Sequence, residues 1–357
     1  MSARTVGRVA LVGYGFGGSV FHAPFIAAEP RLDFACVVTA NPERRRHAVE
    51  RYPGVTVLAG FEELLGRIDD FDLVVVSTPN AAHVPIAEAV LSHSLPVVVD
   101  KPVAPTAEEV RSLAELAVAN ATLVVPFHNR RWDGDFRTVA SLLEDGELGT
   151  LHAFESRFER WQPQVPSDPD RAWKRDGSAG AAAGIVHDLG THLVDQALVL
   201  FGRPDAVYAE AARVRSGSEV DDDAFIALRY ANGPSVHLWA SALAADRGPR
   251  FRLLGSTAAY TKSGMDVQED ALIAGQLPAD RTWGEEPAGS WGQINTGAEL
   301  RPVPTVAGAY GLFYAAVAAS LLDGAPPPVD IADAILAAQI VQAALRSALT
   351  GAVVPLN

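Results

Sequence analysis

The chain has 357 residues, with 43 acidic against 29 basic side chains and a net charge of −14. That acidity argues against nucleic acid or an anionic membrane as a partner, and 48% hydrophobic with 20% charged residues excludes a disordered chain. A single cysteine, Cys36, has no partner for an intramolecular disulfide, which fits a reducing compartment. It lies in the apolar run 34–38 and reads as a small buried hydrophobe rather than a catalytic thiol. No apolar stretch approaches the ~20 residues that cross a bilayer. Residues 1–8 are short and polar and run straight into an α/β pattern, so a signal peptide is not expected and the protein reads as cytoplasmic.

Continuous apolar runs at 9–12, 34–38, 73–76, 97–99 and 123–126 read as strands buried on both faces. Helical patterns fill the gaps at 43–51, 81–92 and 107–119, so residues 1–126 predict a parallel, doubly wound Rossmann sheet. The character then changes. A helix over 136–144 and a strand over 151–161 lead to a Gly/Ala-rich loop at 178–184 and a helix over 188–200. Strand-like runs follow at 206–214, 224–230, 235–240 and 251–255, with Asn232-Gly233 marking a hairpin. Residues 263–304 are rich in Gly, Pro and charge and read as a long excursion, followed by helices over 309–322 and 331–349. Residues 127–357 therefore predict an α+β domain with an open, mainly antiparallel sheet for substrate and oligomerisation, its C-terminal helix packing back on the first domain. No internal repeat is visible.

Gly13-Tyr14-Gly15-Phe16-Gly17-Gly18 follows the first strand and opens a helix. Gly13 permits the tight turn, Gly15 lets a pyrophosphate approach the backbone, and Gly18 lets helix and strand pack closely, as in a dinucleotide loop. Phe16 and Gly17 lie in the same loop. At the end of the second strand an acidic residue would bind a ribose 2′-hydroxyl. Here Thr39-Ala40-Asn41-Pro42-Glu43 stands instead, followed by Arg44, Arg45 and Arg46. Guanidinium forks and small polar donors suit a 2′-phosphate, so NADP(H) is expected over NAD(H), with Thr39, Asn41 and Arg44 as its contacts. A solvated first helical turn is the other reading of these arginines. After the third strand, Thr78, Pro79, Asn80 and His83 sit where such sheets bind ligands; a helix N-cap by Thr78 or Asn80 is the alternative.

Asp100-Lys101-Pro102 ends the fourth strand at the same carboxyl edge. An ammonium there would contact the nicotinamide ribose and the substrate hydroxyl, and would favour alkoxide-like charge. Farther on, Asp188 and His192 are four residues apart and would share one face of an α-helix, with Asp195 near it. His192 suits proton removal, and Asp188 would orient or share that proton. A zinc site is the rival reading, but no second His/Cys pair is spaced for it, and no metal is expected. A satisfied structural histidine is a further alternative.

Together these pieces resemble the Gfo/Idh/MocA oxidoreductase family. Gly13, Gly15 and Gly18 match its loop, Asp100-Lys101-Pro102 its E-K-P motif with Asp for Glu, and Asp188 with His192 its D-x-x-x-H pair. Gly18-Ser19-Val20-Phe21-His22-Ala23-Pro24, Phe127-His128-Asn129-Arg130-Arg131-Trp132-Asp133, Asp188-Leu189-Gly190-Thr191-His192, Gln268-Glu269-Asp270-Ala271-Leu272 and Trp283-Gly284 resemble one branch, which contains NADP-dependent scyllo-inositol dehydrogenases. The resemblance implies that Lys101 and His192 are catalytic with Asp188 assisting, that Asp100 belongs to the cofactor site, that a cis bond precedes Pro102, and that the chain forms a homodimer or homotetramer. It implies hydride transfer between NADP(H) and a ring hydroxyl or ketone of a cyclic polyol or sugar, scyllo-inositol and scyllo-inosose first. An aldose or another inositol isomer is the alternative substrate. A non-catalytic NADP-sensing regulator of the same fold is the alternative function, though it has no need of Lys101, Asp188 and His192 together. Lys101, Arg160, Trp173, Asp188 and His192 are the substrate candidates, and Arg157 and Trp161 lie on the same segments.

Overall fold

The computed structural model describes residues 5–278 and 282–356. Residues 1–4 of the polar N-terminus and 279–281 of the excursion lie outside the described residues. The chain divides into two compact units. One comprises residues up to Asn129 with Gln268–Trp283 and Ala309–Ile335; the other comprises Arg130–Val267, Gly284–Gly308 and the chain from Leu336.

The first unit is built on a six-stranded sheet: β1 (Gly7–Val12), β2 (Leu32–Val38), β3 (Thr56–Leu58), β4 (Leu73–Val76), β5 (Val97–Asp100) and β6 (Val124–Phe127). Their order is β3-β2-β1-β4-β5-β6, and every pairing is parallel. The reversal of direction beside β1 is the switch point at which such sheets bind ligands. Val74, Val75, Val97, Val98 and Val99 have no exposed surface, as continuous apolar strands covered on both faces require. The helix Ala107–Ala119 starts on a capping box, in which the Thr106 hydroxyl accepts from the Glu109 N–H and the Glu109 carboxylate accepts from the Thr106 N–H. β3 was not expected: it has three residues and lies between Gly54 and Gly60, too short to carry a periodicity. Cys36 is buried, and its burial pushes the thiol up to about 11 against the opposing charges of Arg67 and Arg8, as befits a packed hydrophobe.

The second unit carries a nine-stranded mixed sheet. Its strands are β7 (Leu151–Glu159), β8 (Ala206–Ala212), β9 (Asp223–Arg229), β10 (Ser235–Ser241), β11 (Phe251–Gly255), β12 (Ala259–Lys262), β13 (Gly292–Asn295), β14 (Leu300–Val303) and β15 (Val354–Pro355). All pairings are antiparallel except β7 with β10. Ala224, Ile226 and Leu228 on β9 alternate with more exposed residues, so one face is core and the other is open. Against the core face lie Leu193, Val194 and Ala197 from the helix Thr191–Phe201, and Ala337, Ile340, Val341 and Ala344 from the helix Ile331–Thr350. The latter has 20 residues and is long and apolar enough by length and composition to cross a membrane, contrary to the expectation that no stretch would be. Its isoleucines, leucines and valine supply most of that hydropathy, with alanines between them, and its apolar face is used by the sheet. The excursion at 263–304 contains β13, β14 and a helix, Gln268–Ile273.

Candidate functional site

At the carboxyl edge of the parallel sheet the chain turns sharply after β1. The Gly13 N–H donates to the Val38 carbonyl (3.0 Å), and the Ser77 N–H to the Val12 carbonyl (2.8 Å), so three strand ends are locked side by side. Gly13 has φ +97°, and a Cβ there would collide with the Ser77 carbonyl oxygen. A Cβ at Gly18 would collide with the Gly13 carbonyl. At Gly17 it would lie 2.7 Å from Ser77 Oγ and 3.0 Å from Asp100 Oδ2. Gly15 differs: the nearest atom to a Cβ there is Nη1 of Arg44, at 3.9 Å. Three glycines are demanded by packing, and the remaining one faces open space beside a guanidinium.

Asn41 caps the helix Pro42–Arg51, its Oδ1 accepting from the Glu43 and Arg44 N–H groups at 3.0 and 3.1 Å. The cap fixes the turn from which Arg44 projects. Thr39 is buried and donates its N–H to the Leu58 carbonyl (3.0 Å). Neither Thr78 nor Asn80 caps a helix: the short turn Asn80–Ala82 is preceded by Pro79, the helix His83–Ser92 by Ala82, and no side chain bonds at either cap. The Thr78 hydroxyl is buried with no hydrogen-bond partner among the described residues, and such a group calls for a ligand or water. Phe16 is 42% exposed on the loop.

Asp100 is the centre of a network that the sequence did not announce. Its Oδ2 accepts from Ser77 Oγ (2.9 Å) and faces His22 Nε2 (3.4 Å), and its Oδ1 accepts from the Lys101 N–H (2.8 Å). His22 has no exposed surface and bonds the Tyr314 hydroxyl through Nδ1 (2.6 Å). Burial alone would raise the Asp100 carboxyl, but the His22 hydrogen bond, with the charges of His22, His83 and Lys101, holds it below the usual range. The Tyr314 hydroxyl is pushed far up by burial and by the Asp100 charge, and stays protonated. His83 is also buried, bridging the Pro102 carbonyl (2.9 Å, Nδ1) and the Thr78 carbonyl (3.0 Å, Nε2). It thereby ties the turn after β4 to the turn after β5. The Lys101–Pro102 bond is cis. The Gln268 side-chain oxygen accepts from Trp283 Nε1 (3.1 Å) and the Tyr310 N–H (2.8 Å), so those motif residues serve the interior of this unit.

In the second unit Val186–Gly190 is π-helical, and the regular helix begins only at Thr191. Asp188 therefore lies on the π turn and His192 on the regular helix that continues it. His192 is 6% exposed, whereas the Asp188 side chain is 33% exposed and accepts from Lys174 Nζ at 3.0 Å. Asp221 starts the π turn by accepting the Val186 N–H (2.8 Å), and a Cβ at Gly184 would overlap that carboxylate. Phe158 gathers the other candidates: its ring lies 6.1 Å from the His192 ring, with the guanidinium of Arg160 at 5.0 Å and that of Arg130 at 4.6 Å. Trp173 lies 5.4 Å from the Lys174 ammonium. Arg157 goes elsewhere. It stacks at 3.9 Å on Trp239 and pairs with Glu155 (2.8 Å), away from the core-facing Phe158, because neighbouring strand residues point to opposite faces. Trp161 is 52% exposed. Sequence reasoning missed Lys174, Ser77 and Tyr314, and it saw His22 only as part of a motif. Among the described residues no group of three or more His, Cys, Asp or Glu side chains could hold a metal ion.

A parallel sheet with a packed glycine turn at its switch point defines a dinucleotide-binding fold. Residues 7–128 match the model of the oxidoreductase family with an NAD-binding Rossmann fold, and residues 136–261 match the GFO/IDH/MocA C-terminal domain. The chain is 32% identical to scyllo-inositol 2-dehydrogenase (NADP(+)) IolW of Bacillus subtilis over 95% of this chain and 93% of that one. It is 36% identical to the uncharacterized oxidoreductase YdgJ of Escherichia coli, over 96% of each. The solved structure of the oxidoreductase YvaA from Bacillus subtilis superposes with a TM-score of 0.92 at 30% identity, covering 100% of both chains. The protein belongs to the Gfo/Idh/MocA family of oxidoreductases and has its NAD(P)-binding Rossmann domain.

Proposed function

We propose that this protein moves a hydride between NADP(H) and a ring carbon of a cyclic polyol, with scyllo-inositol and scyllo-inosose as the first pair to test. The observation that carries the cofactor reading is the Arg44 guanidinium beside Gly15, at the end of a strand that offers no carboxylate to a ribose hydroxyl. The polyol reading is supported by the name of the Bacillus subtilis relative. Gly13, Phe16, Gly17, Gly18, Thr39, Thr78, Pro79 and Asn80 line the proposed cofactor site, and the orphaned Thr78 hydroxyl and the open face at Gly15 suit a polar, phosphorylated ligand. Asn41, His83 and Asp100 act from behind, holding Arg44, the Thr78 turn and Lys101.

Bound NADP+ supplies the hydride acceptor at C4 of its nicotinamide. In oxidation the His192 imidazole takes the hydroxyl proton as general base. The Lys101 ammonium donates to the same oxygen and stabilises its developing negative charge. Asp188, held by Lys174, orients the reacting hydroxyl and its proton, and Arg160 and Trp173 contact the ring. We also propose a cytoplasmic homodimer or homotetramer using the open face of the second sheet, where Phe225 and Trp239 stack at 5.1 Å; sedimentation equilibrium gives the subunit count. Absorbance at the NADPH band, followed across inositols and sugars at alkaline pH, tests the function. Lys101→Met and His192→Ala should each lower kcat by about 10²-fold or more. Full kcat in either variant removes that residue from the chemistry.

A further inference from the structure

The arginine-rich turn Arg130-Arg131-Trp132-Asp133 takes no part in the proposed reaction, yet it grips the helix that carries His192. Arg131 forks onto Asp195: Nε lies 3.2 and 3.0 Å from the two carboxylate oxygens, and Nη2 lies 2.6 Å from Oδ1. The Asp195 side chain is 2% exposed and that of Arg131 14%. One residue on, Gln196 has no exposed surface; its Nε2 donates to the Arg130 carbonyl (2.8 Å), and its Oε1 accepts from Arg250 Nη2 (2.7 Å). Arg250 is fastened in turn to Ser156 Oγ on β7 (2.6 Å) and lies 3.5 Å from Asp135. Asp195 and Gln196 stand three and four residues beyond His192, on the next turn of the same helix. They tie that turn both to the 130–133 loop and to the sheet.

A helix resting on a sheet through apolar contacts alone is free to slide or rotate slightly, because dispersion contacts are non-directional. A two-pronged guanidinium–carboxylate pair fixes direction as well as distance. A buried pair contributes little net stability after desolvation, so orientation is the better account of why these charges are buried here. We propose that Arg131, Asp195 and Gln196 are positioning residues that set the direction of the His192 imidazole and affect the reaction only through it. This rests on the assignment of His192 as proton acceptor.

A double-mutant cycle separates the two ideas. Arg131→Met should lower kcat about 10²-fold, as small misplacements of a reacting group do, with KM for NADP within about two-fold, since a loss confined to the chemical step leaves cofactor binding alone. Arg131→Lys should recover part of kcat. Gln196→Leu, close in size, breaks the second tie and should fall the same way if Arg131→Met does not fold. In a His192→Ala background the same substitutions should cost less than about two-fold, because residues acting as a unit are not additive. Equal losses in both backgrounds overturn the positioning role while leaving His192 catalytic. A His192→Ala protein with undiminished kcat overturns the parent assignment instead. A readout without turnover runs alongside: among the nine histidines, the ring Cε1–H NMR signal lost in His192→Ala should shift or broaden in Gln196→Leu, while that of exposed His93 stays. An unmoved His192 signal sinks the proposal.

Discussion

Arg44 shows how one residue's role depends on its neighbours. Three consecutive arginines open the same helix, but Arg44 is the one whose side chain lies beside the open glycine, because Asn41 and Pro42 fix the first turn beneath it. Arg44→Ala should therefore lower kcat/KM for NADP by about 10–100-fold, the worth of one charge-assisted hydrogen-bond pair, while leaving NAD within about two-fold. Steady-state kinetics with both cofactors decides it; an equal loss for each would make Arg44 a surface residue. Gly13, Gly18 and Lys101 were legible from the sequence because each follows a strand end. The Asp100–His22–Tyr314 chain was not: its members lie at residues 22, 100 and 314, and no local pattern links them. The motif Gly18-Ser19-Val20-Phe21-His22 was the one signal available for His22, and it said nothing of what the ring would touch.

Among the elements, those with long patterns and clear punctuation were read well. The helix over 107–119 is observed as Ala107–Ala119, and its capping box explains the sharp start. Thr106→Ala removes the hydroxyl half of that box, leaving the residue 106 N–H to the Glu109 carboxylate, and should cost about 1 kcal/mol, seen as a Tm lowered by a few degrees; an unchanged melting curve would mean the box is ornamental. Elements at the edges were read poorly. β13 and β14 fall in a stretch that reads as irregular chain, since each has only four residues and Pro302 interrupts β14, which is the edge strand. The π turn at Val186–Gly190 was also invisible. At its start Asp221 accepts the Val186 N–H, a contact 35 residues away that no local pattern shows.

For the whole molecule, buried charge sets the response to pH. Burial pushes the Asp133 carboxyl well above its ordinary value, the nearby Arg130 opposes this, and the Asp266 and Asp135 charges add to it. A raised carboxyl means the fold prefers the neutral acid: this contribution is fully present below the unfolded-state value and is lost as pH rises toward the folded one. Asp133→Asn keeps the neutral form at every pH, so its Tm relative to the parent should rise between pH 5 and pH 8. A difference that stays flat or falls over that interval would show that the charge is compensated. Asp100 runs the other way. Its depressed carboxyl stabilises the fold above the unfolded-state value, and that contribution is lost as pH falls through the acid range.

The sequence by itself determined the parallel sheet, the glycine turn, the strand-end lysine and the family, because each depends on contacts within a few residues or on a repeat of strand and helix. Tertiary structure alone decided that segments 268–283 and 309–335 join the first unit, that Lys174 meets Asp188, and that the arginine-rich turn grips the His192 helix. Those choices rest on pairs of buried polar groups brought together from distant parts of the chain. Burial demands that each such group find a partner but does not say, from sequence, which one.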